Sequence, residues 1–354
     1  MESSSSRPSD ALVTTALSQV DGAASALSFR GVSVEELAER GYVAVASFLH
    51  SNRWPGVDDV AAFGARLLEV QLPAHAVAHT SMAAAMASLR RSLTDVEASC
   101  DNDVAAFAGA VSRLVGRLRG HTAHRVDFVG GILEGVSTRS IDDVDVAAFD
   151  AAMVLHLDHA LNPGTLCVRV AASTGASVAA CMTAGLSALE GPLHGGASSN
   201  VGALLERLLS SSTTSAHALE QFVAQERQAK RRLPGFGHPI YQQRDPRTAV
   251  LKQLTERIAK ARNSYEIVDV ATALEAAVVK TSDGRLFANV DFYAAALYAS
   301  LGIPLWLHTP MFAAARMQGW AAHVVEERAR RKIISPEGGY CGPALRSLHS
   351  VINS

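Results

Sequence analysis

The chain has 354 residues, of which 48% are hydrophobic, and 32 Lys+Arg stand against 34 Asp+Glu for a formal net charge of −2. This composition builds a folded protein with a sizeable core and excludes a disordered chain. The charge balance gives no electrostatic case for a nucleic-acid or membrane surface as the main partner.

In chain order, the opening MESSSSRPSD carries Glu2 and Asp10 and has neither the apolar core of a secretory signal nor the arginines of a transit peptide. Residues 1–24 read as a flexible Ser-rich tail, and the protein reads as cytoplasmic. VEELAERGYVAVASFLH and VDDVAAFGARLLEV read as two helices, and HRVDFV near Val126 is the best of few strand candidates. HALEQFVAQERQAKRR carries Leu219, Phe222 and Val223 on one face. SYEIVDVATALEAAVVK repeats Ile267, Val270, Leu274 and Val278 at helical spacing. The apolar helix Met311–Val325 implies more buried surface than a monomer easily covers. No apolar run approaches the roughly 20 residues that span a bilayer, and no repeat period stands out. The expected fold class is therefore all-α, a multi-helix assembly. The cysteines, Cys100, Cys167, Cys181 and Cys341, form no CxxC pair, which fits a reducing compartment.

Several segments carry chemistry-bearing residues. LHLDHALN supplies His156, Asp158 and His159. Two histidines three apart can hold a metal, but Asp158 points to another side and no third ligand follows, so no metal site is expected. In GPLHGGASSN, His194 is either an ordinary loop histidine or a neutral donor before a helix, with Gly195 and Gly196 allowing close approach. The loop RLPGFGHPIYQQRDPRT places His238 in a turn, and Asp245-Pro246 opens a helix or frames Arg247 as a carboxylate clamp. Asp291, in ANVDFY, is either a first-turn acid sharing a cap with Asn289 or a base shielded by Phe292 and Tyr293. Arg316, on the apolar helix MFAAARMQGWAAH, needs a partner from the protein or from a ligand. The signatures G-x-S-x-G, P-loop and G-x-G-x-x-G after a strand are all absent.

Taken together and in order, LHLDHALN, GPLHGGA, GFGHPIYQQRDPR, NVDFYAAALYASLGIP and MFAAARMQGWAAH resemble the citrate synthase family, from about Leu27 to about Pro343. The resemblance implies a large domain (25–195 and 300–354), a smaller mobile domain (196–299) and a homodimer. It implies condensation of an acyl-CoA such as acetyl-CoA with a 2-oxo acid such as oxaloacetate, followed by thioester hydrolysis. By position, Asp291 is the base, His194 the donor to the thioester oxygen and His238 the acid. His159, Arg247 and Arg316 grip the oxo acid, and Gly235, Phe236 and Gly237 meet coenzyme A. No metal or cofactor is implied, since CoA enters as substrate. A citryl-CoA lyase-type reverse reaction and a non-catalytic CoA- or acid-binding paralogue are the alternatives.

Four positions depart from the family pattern. Ala160 stands where a glutamate is usual, and Ser198-Ser199 where Asn-Glu is usual. Ser335 stands where the family has an arginine that reaches a substrate carboxylate in the partner subunit.

Overall fold

Short polar residues divide the chain into helices. The computed structural model describes residues 13–73, 78–211, 214–345 and 347. Three strands, β1 (Ser18–Asp21), β2 (Ala26–Phe29) and β3 (Val32–Ser33), form an antiparallel sheet in chain order. The helices that follow are α1 (Val34–Leu37), α2 (Tyr42–Ser51), α3 (Val57–Glu69), α4 (Met82–Glu97), α5 (Val104–Gly116), α6 (Phe128–Val136), α7 (Asp143–His156) and α8 (Pro163–Ser173). They continue as α9 (Val178–Leu189), α10 (Ala197–Ser210), α11 (Ala216–Gln228), α12 (Pro246–Arg262), α13 (Glu266–Thr281), α14 (Val290–Ser300) and α15 (His308–Arg330). Ser81, Asp103, Ser177 and Ser215 each accept a first-turn N–H of α4, α5, α9 and α11. Asn162-Pro163 and Asp245-Pro246 add a proline at the first helical position of α8 and α12.

The all-α expectation holds, and so do the apolar stripes: Val270, Leu274 and Val278 of α13 and Leu219 and Val223 of α11 are buried. Four local expectations change. HRVDFV is not a strand, because Asp127 accepts the Gly130 N–H and starts α6 there. VEELAERGYVAVASFLH is two helices, since Gly41 at φ 82 breaks the run before α2. The expected tail is structured from Val13 onward: β1 pairs with β2, and Leu17 and Ser18 are buried. Residues 1–12 of that tail lie outside the described residues. Finally, Met311–Val325 needs no second copy to cover it. The structure wraps α15 with α5, α7, α8 and α9 of the same chain. It is buried on every side from His308 to Val324, as a helix apolar all round must be.

Within the second half, α12 and α10 pack on α14, and α11 packs on α13. The site lies where this group meets α7 and α15, because α12 also packs on α7 and α10 on α15. Among the described residues, no helix is long and apolar enough to cross a membrane.

Candidate active site

The loop before α12 and the segment before α14 are tied together by backbone. Gly237 N–H donates to Phe287 O (2.9 Å), and Asn289 N–H donates to Gly235 O (2.9 Å). Phe236 and Ala288 form an antiparallel bridge between these bonds. The Asn289 amide adds a bond to Gly237 O (2.9 Å), and the Phe236 and Phe292 rings lie 4.7 Å apart. His238 and Asp291, 53 positions apart in the numbering, are thereby brought to the ends of one short ladder. Gly235 and Gly237 sit at φ +81 and +82, where other residues are strained. Gly235 is walled by Val201 and Phe292, whereas a side chain at Gly237 would meet only open space and Leu286.

Asn289 caps α14 by accepting the Asp291 N–H, so the cap and the acid are different residues. That frees the Asp291 carboxylate, which has no hydrogen bond among the described residues. Burial pushes its pKa up to about 7, with Asp245 reinforcing the rise and Arg247 and Arg316 opposing it. A carboxyl so placed is a base poised near neutrality.

Asp245 does two jobs at the start of α12. Its Oδ1 accepts the Arg247 N–H (3.1 Å), and its two oxygens take Arg247 Nε (2.9 Å) and Nη2 (2.7 Å). Val290 N–H also donates to Oδ2 (3.1 Å), which joins α12 to the start of α14. Burial works against the Arg247 charge, and Asp245 outweighs it, so the guanidinium is held above its ordinary value. The helix-start reading of Asp245-Pro246 is met, and the carboxylate that Arg247 holds in this structure is that of Asp245.

Arg316 is fully buried on α15. Its Nε donates to the His156 carbonyl (2.6 Å), its guanidinium lies 4.9 Å over the Phe312 ring, and Nη2 has no partner among the described residues. Burial lowers its pKa to about 10, which still leaves it charged at neutral pH. An unpaired buried guanidinium nitrogen is costly to keep and is the expected mark of a site for an anion.

The three site histidines, His159, His194 and His238, are neutral. His238 Nδ1 accepts the N–H groups of Ile240 (3.1 Å) and Tyr241 (3.2 Å), so the ring proton sits on Nε2 and is available to donate. Burial, and then Arg247, lower its pKa to about 4. His159 is held well below the usual imidazole range by burial, Arg247, Arg316 and His238. Its Nε2 meets Tyr241 Oη at 3.0 Å, and its ring lies 5.5 Å from that of His238. His194 lies in the turn before α10, with its Nε2 buried and unpartnered. Burial and Arg316 lower its pKa to about 4, so it is a neutral imidazole beside a helix N-terminus.

Gly195, directly after His194, has an internal reason. A Cβ on Gly195 would lie 2.4 Å from the Leu189 carbonyl oxygen, so this turn closes only with glycine. Ligand approach is not needed to explain that residue. Ser199 Oγ meets Thr309 Oγ1 (3.2 Å), and the Ser198 hydroxyl is buried without a partner.

Arg247 and Arg316 thus act electrostatically on Asp291 and His159, and Arg316 also on His194. The other four residues expected to bind or react, Asp291, His159, His194 and His238, each feel one or both of these charges. Sequence reasoning missed Tyr241, whose signal was its place three residues after His238 in a turn. His156, weighed from the sequence only as one of a metal-binding pair, bonds Ala152 O through Nδ1 (2.7 Å), and its Nε2 is buried with no partner among the described residues. Asp158 belongs to a different network, with Ser18 and His323. Ser335 is exposed in the segment after α15, outside this group.

The family model described as citrate synthase, C-terminal domain, matches residues 10–337. Citrate synthase 2 of Bacillus subtilis is 36% identical over 200 residues, which span 56% of this chain and 52% of that protein. The chain thus aligns with about half the length of that relative. The 2-methylcitrate synthase of Shewanella oneidensis is 29% identical over 362 residues, covering 96% of this chain and 95% of that protein. The crystal structure of citrate synthase from Thermotoga maritima superposes with a TM-score of 0.79 at 27% identity, covering 96% of each chain. Spacing, fold and these likenesses agree, and the chain belongs to the citrate synthase family.

Proposed function

We infer that the site condenses an acyl-CoA with oxaloacetate or a close 2-oxo acid and then hydrolyses the thioester to release CoA. The observation that carries this reading is Asp291, a carboxylate with no hydrogen bond among the described residues and poised near pH 7, set in one charge network with two neutral histidines. Asp291 takes a proton from the acyl α-carbon. His194, with its buried unpartnered nitrogen, donates to the thioester oxygen as negative charge develops there. One such donor is worth about 2.7–4 kcal/mol and the base about 10²–10⁴-fold. The resulting nucleophile attacks the 2-oxo carbon, and His238 gives its Nε2 proton to the carbonyl oxygen. Arg247, Arg316 and His159 hold the acid: Arg316 offers its unpartnered Nη2, and Arg247 is aimed by Asp245. Gly237, open above, suits the approach of CoA, while enclosed Gly235 and the ring of Phe236 shape the loop behind it.

Residues 196–299, which hold α10 to α13 and nearly all of α14, are the mobile part. Their closure on α7 and α15 would exclude water from the enolate. A homodimer is supported by the segment after α15, where Ile333, Tyr340 and Leu345 are exposed. The four unpaired cysteines support a reducing, cytoplasmic setting.

The test is thiol release from acetyl-CoA and propionyl-CoA against a panel of 2-oxo acids, with light scattering on the same sample. Release that needs both substrates supports the reading. No release with any pair, or a stable active monomer, would sink the condensation or the dimer respectively.

A further inference from the structure

His159 sits in a turn whose geometry its own neighbours do not secure. Helix α7 ends at His156 and α8 begins at Pro163, so the turn spans only a few residues. Ala160, immediately after His159, has φ +46, an uncommon conformation for a residue with a side chain. Within the turn, the only bond to His159 O comes from the Asn162 amide, at a long 3.4 Å.

The firmer holds come from far along the chain. The Ser18 hydroxyl, on β1, donates to Asp158 Oδ2 at 2.5 Å and accepts the Ala160 N–H at 2.9 Å. One hydroxyl therefore grips the residues on both sides of His159. Ser18 and Asp158 are both buried, so water does not replace either bond at no cost. On the same carboxylate, His323 of α15 donates Nε2–H to Asp158 (3.1 Å), with its Nδ1 accepting from Arg169 (2.8 Å). Burial works against the Asp158 charge, and His323, Arg316 and Ser18 outweigh it, so the carboxyl stays below its usual range. Gly319 lets α15 close on this turn, since a Cβ there would lie 2.0 Å from Leu157 O. The turn is thus clamped by β1 and the helix that carries Arg316.

We propose that Ser18 is a positioning residue for the 2-oxo acid, acting through the backbone on either side of His159. The inference rests on His159 being an oxo-acid contact, as read above. Without the hydroxyl, Asp158 keeps His323, but the Ala160 N–H is orphaned in a strained turn. The His159 ring then loses its fixed direction towards Tyr241 and the arginines. A contact made equally to the bound substrate and to the transition state shows in KM and spares kcat.

The experiment measures thiol release with saturating acetyl-CoA and varied oxaloacetate. It uses the full chain carrying Ser18→Ala, Ser18→Cys, Ser18→Thr, His159→Ala, or Ser18→Ala with His159→Ala. We expect Ser18→Ala to raise the oxaloacetate KM about tenfold with kcat within about threefold, as for misplacement of a binding group. Ser18→Cys, nearly the same size with a weak sulfur donor and acceptor, should shift KM the same way. It keeps the test valid if the alanine variant does not fold. Ser18→Thr should return KM to within about threefold of the parent, because the hydroxyl is restored. The double variant should match His159→Ala alone. Unchanged KM in the Ser18 variants, with KM raised in His159→Ala, overturns the clamp and leaves the site reading standing. Unchanged KM in His159→Ala overturns the role of His159 and the clamp with it. Losses that multiply in the double variant mean that Ser18 acts on the fold at large, which also overturns the proposal.

Discussion

Asp291→Asn should abolish turnover and make the protein more stable, and the gain should depend on pH. In the folded chain the Asp291 carboxyl is raised by burial from its ordinary value of 3.8 to about 7. Every tenfold weakening of an acid corresponds to about 1.36 kcal/mol, so the native state disfavours the ionised form by at most about 4 kcal/mol. Below about pH 4 the group is protonated both folded and unfolded, and the substitution has little to remove. As pH rises, the unfolded chain ionises first while the folded one resists, so stability drains away until pH passes 7. Asparagine is uncharged throughout and escapes that loss. The stability difference between variant and parent should therefore open from near zero at pH 4 to at most about 4 kcal/mol at pH 8. Urea unfolding of both proteins across this range measures it. Deuterium exchange at the acetyl-CoA methyl group, read on the same samples, should fall by at least about 10²-fold in the variant. In the parent, kcat/KM should fall on the acid side with a midpoint near 7, since the base must be ionised in the free enzyme. Parallel stability curves for the two proteins, or normal exchange in the variant, would refute the assignment.

Arg316→Met should raise the oxaloacetate KM at least about 30-fold, while the thermal midpoint stays within ~5 °C of the parent, because the unpaired Nη2 contributes to a ligand and not to the fold. A collapse in thermal midpoint would assign the arginine to the core. Gly195→Ala should cost about 1–3 kcal/mol in urea unfolding, since the new Cβ strikes the Leu189 carbonyl. Unaltered stability with lost activity would favour ligand approach as the reason for that glycine. Ser335→Arg should improve kcat/KM for oxaloacetate about tenfold or more over that for a monocarboxylic 2-oxo acid, by restoring a charge-assisted grip on its second carboxylate. If the parent already favours oxaloacetate strongly and the arginine adds nothing, Ser335 is not the position that matters.

The sequence by itself determined the helices and the reactive residue types. Stripes such as Val270, Leu274 and Val278 repeat at the helical period, and caps such as Asn289 and Asp245 satisfy N–H groups two or three residues away. Such signals are local, so a linear reading finds them. The order and spacing of the histidine, arginine and aspartate motifs placed the chain in its family for the same reason. Where the local signal misled, a competing contact decided. HRVDFV alternates weakly, but the Asp127 carboxylate caps α6, and the apolar run Met311–Val325 found its cover within its own chain. Tertiary structure alone decided the electrostatics of the site, because a pKa is set by what surrounds a group. Asp291 reads locally as a helix-favouring acid, and only its enclosure and the free carboxylate left by the Asn289 cap make it a base near pH 7. It also decided the fate of the N-terminal stretch. Ser18 looks like one more serine of a polar tail, and its two partners lie 140 and 142 positions away in the turn that carries His159. Hydrogen bonds at that separation leave no periodicity to read, since their geometry exists only once β1 and α15 have closed on the turn.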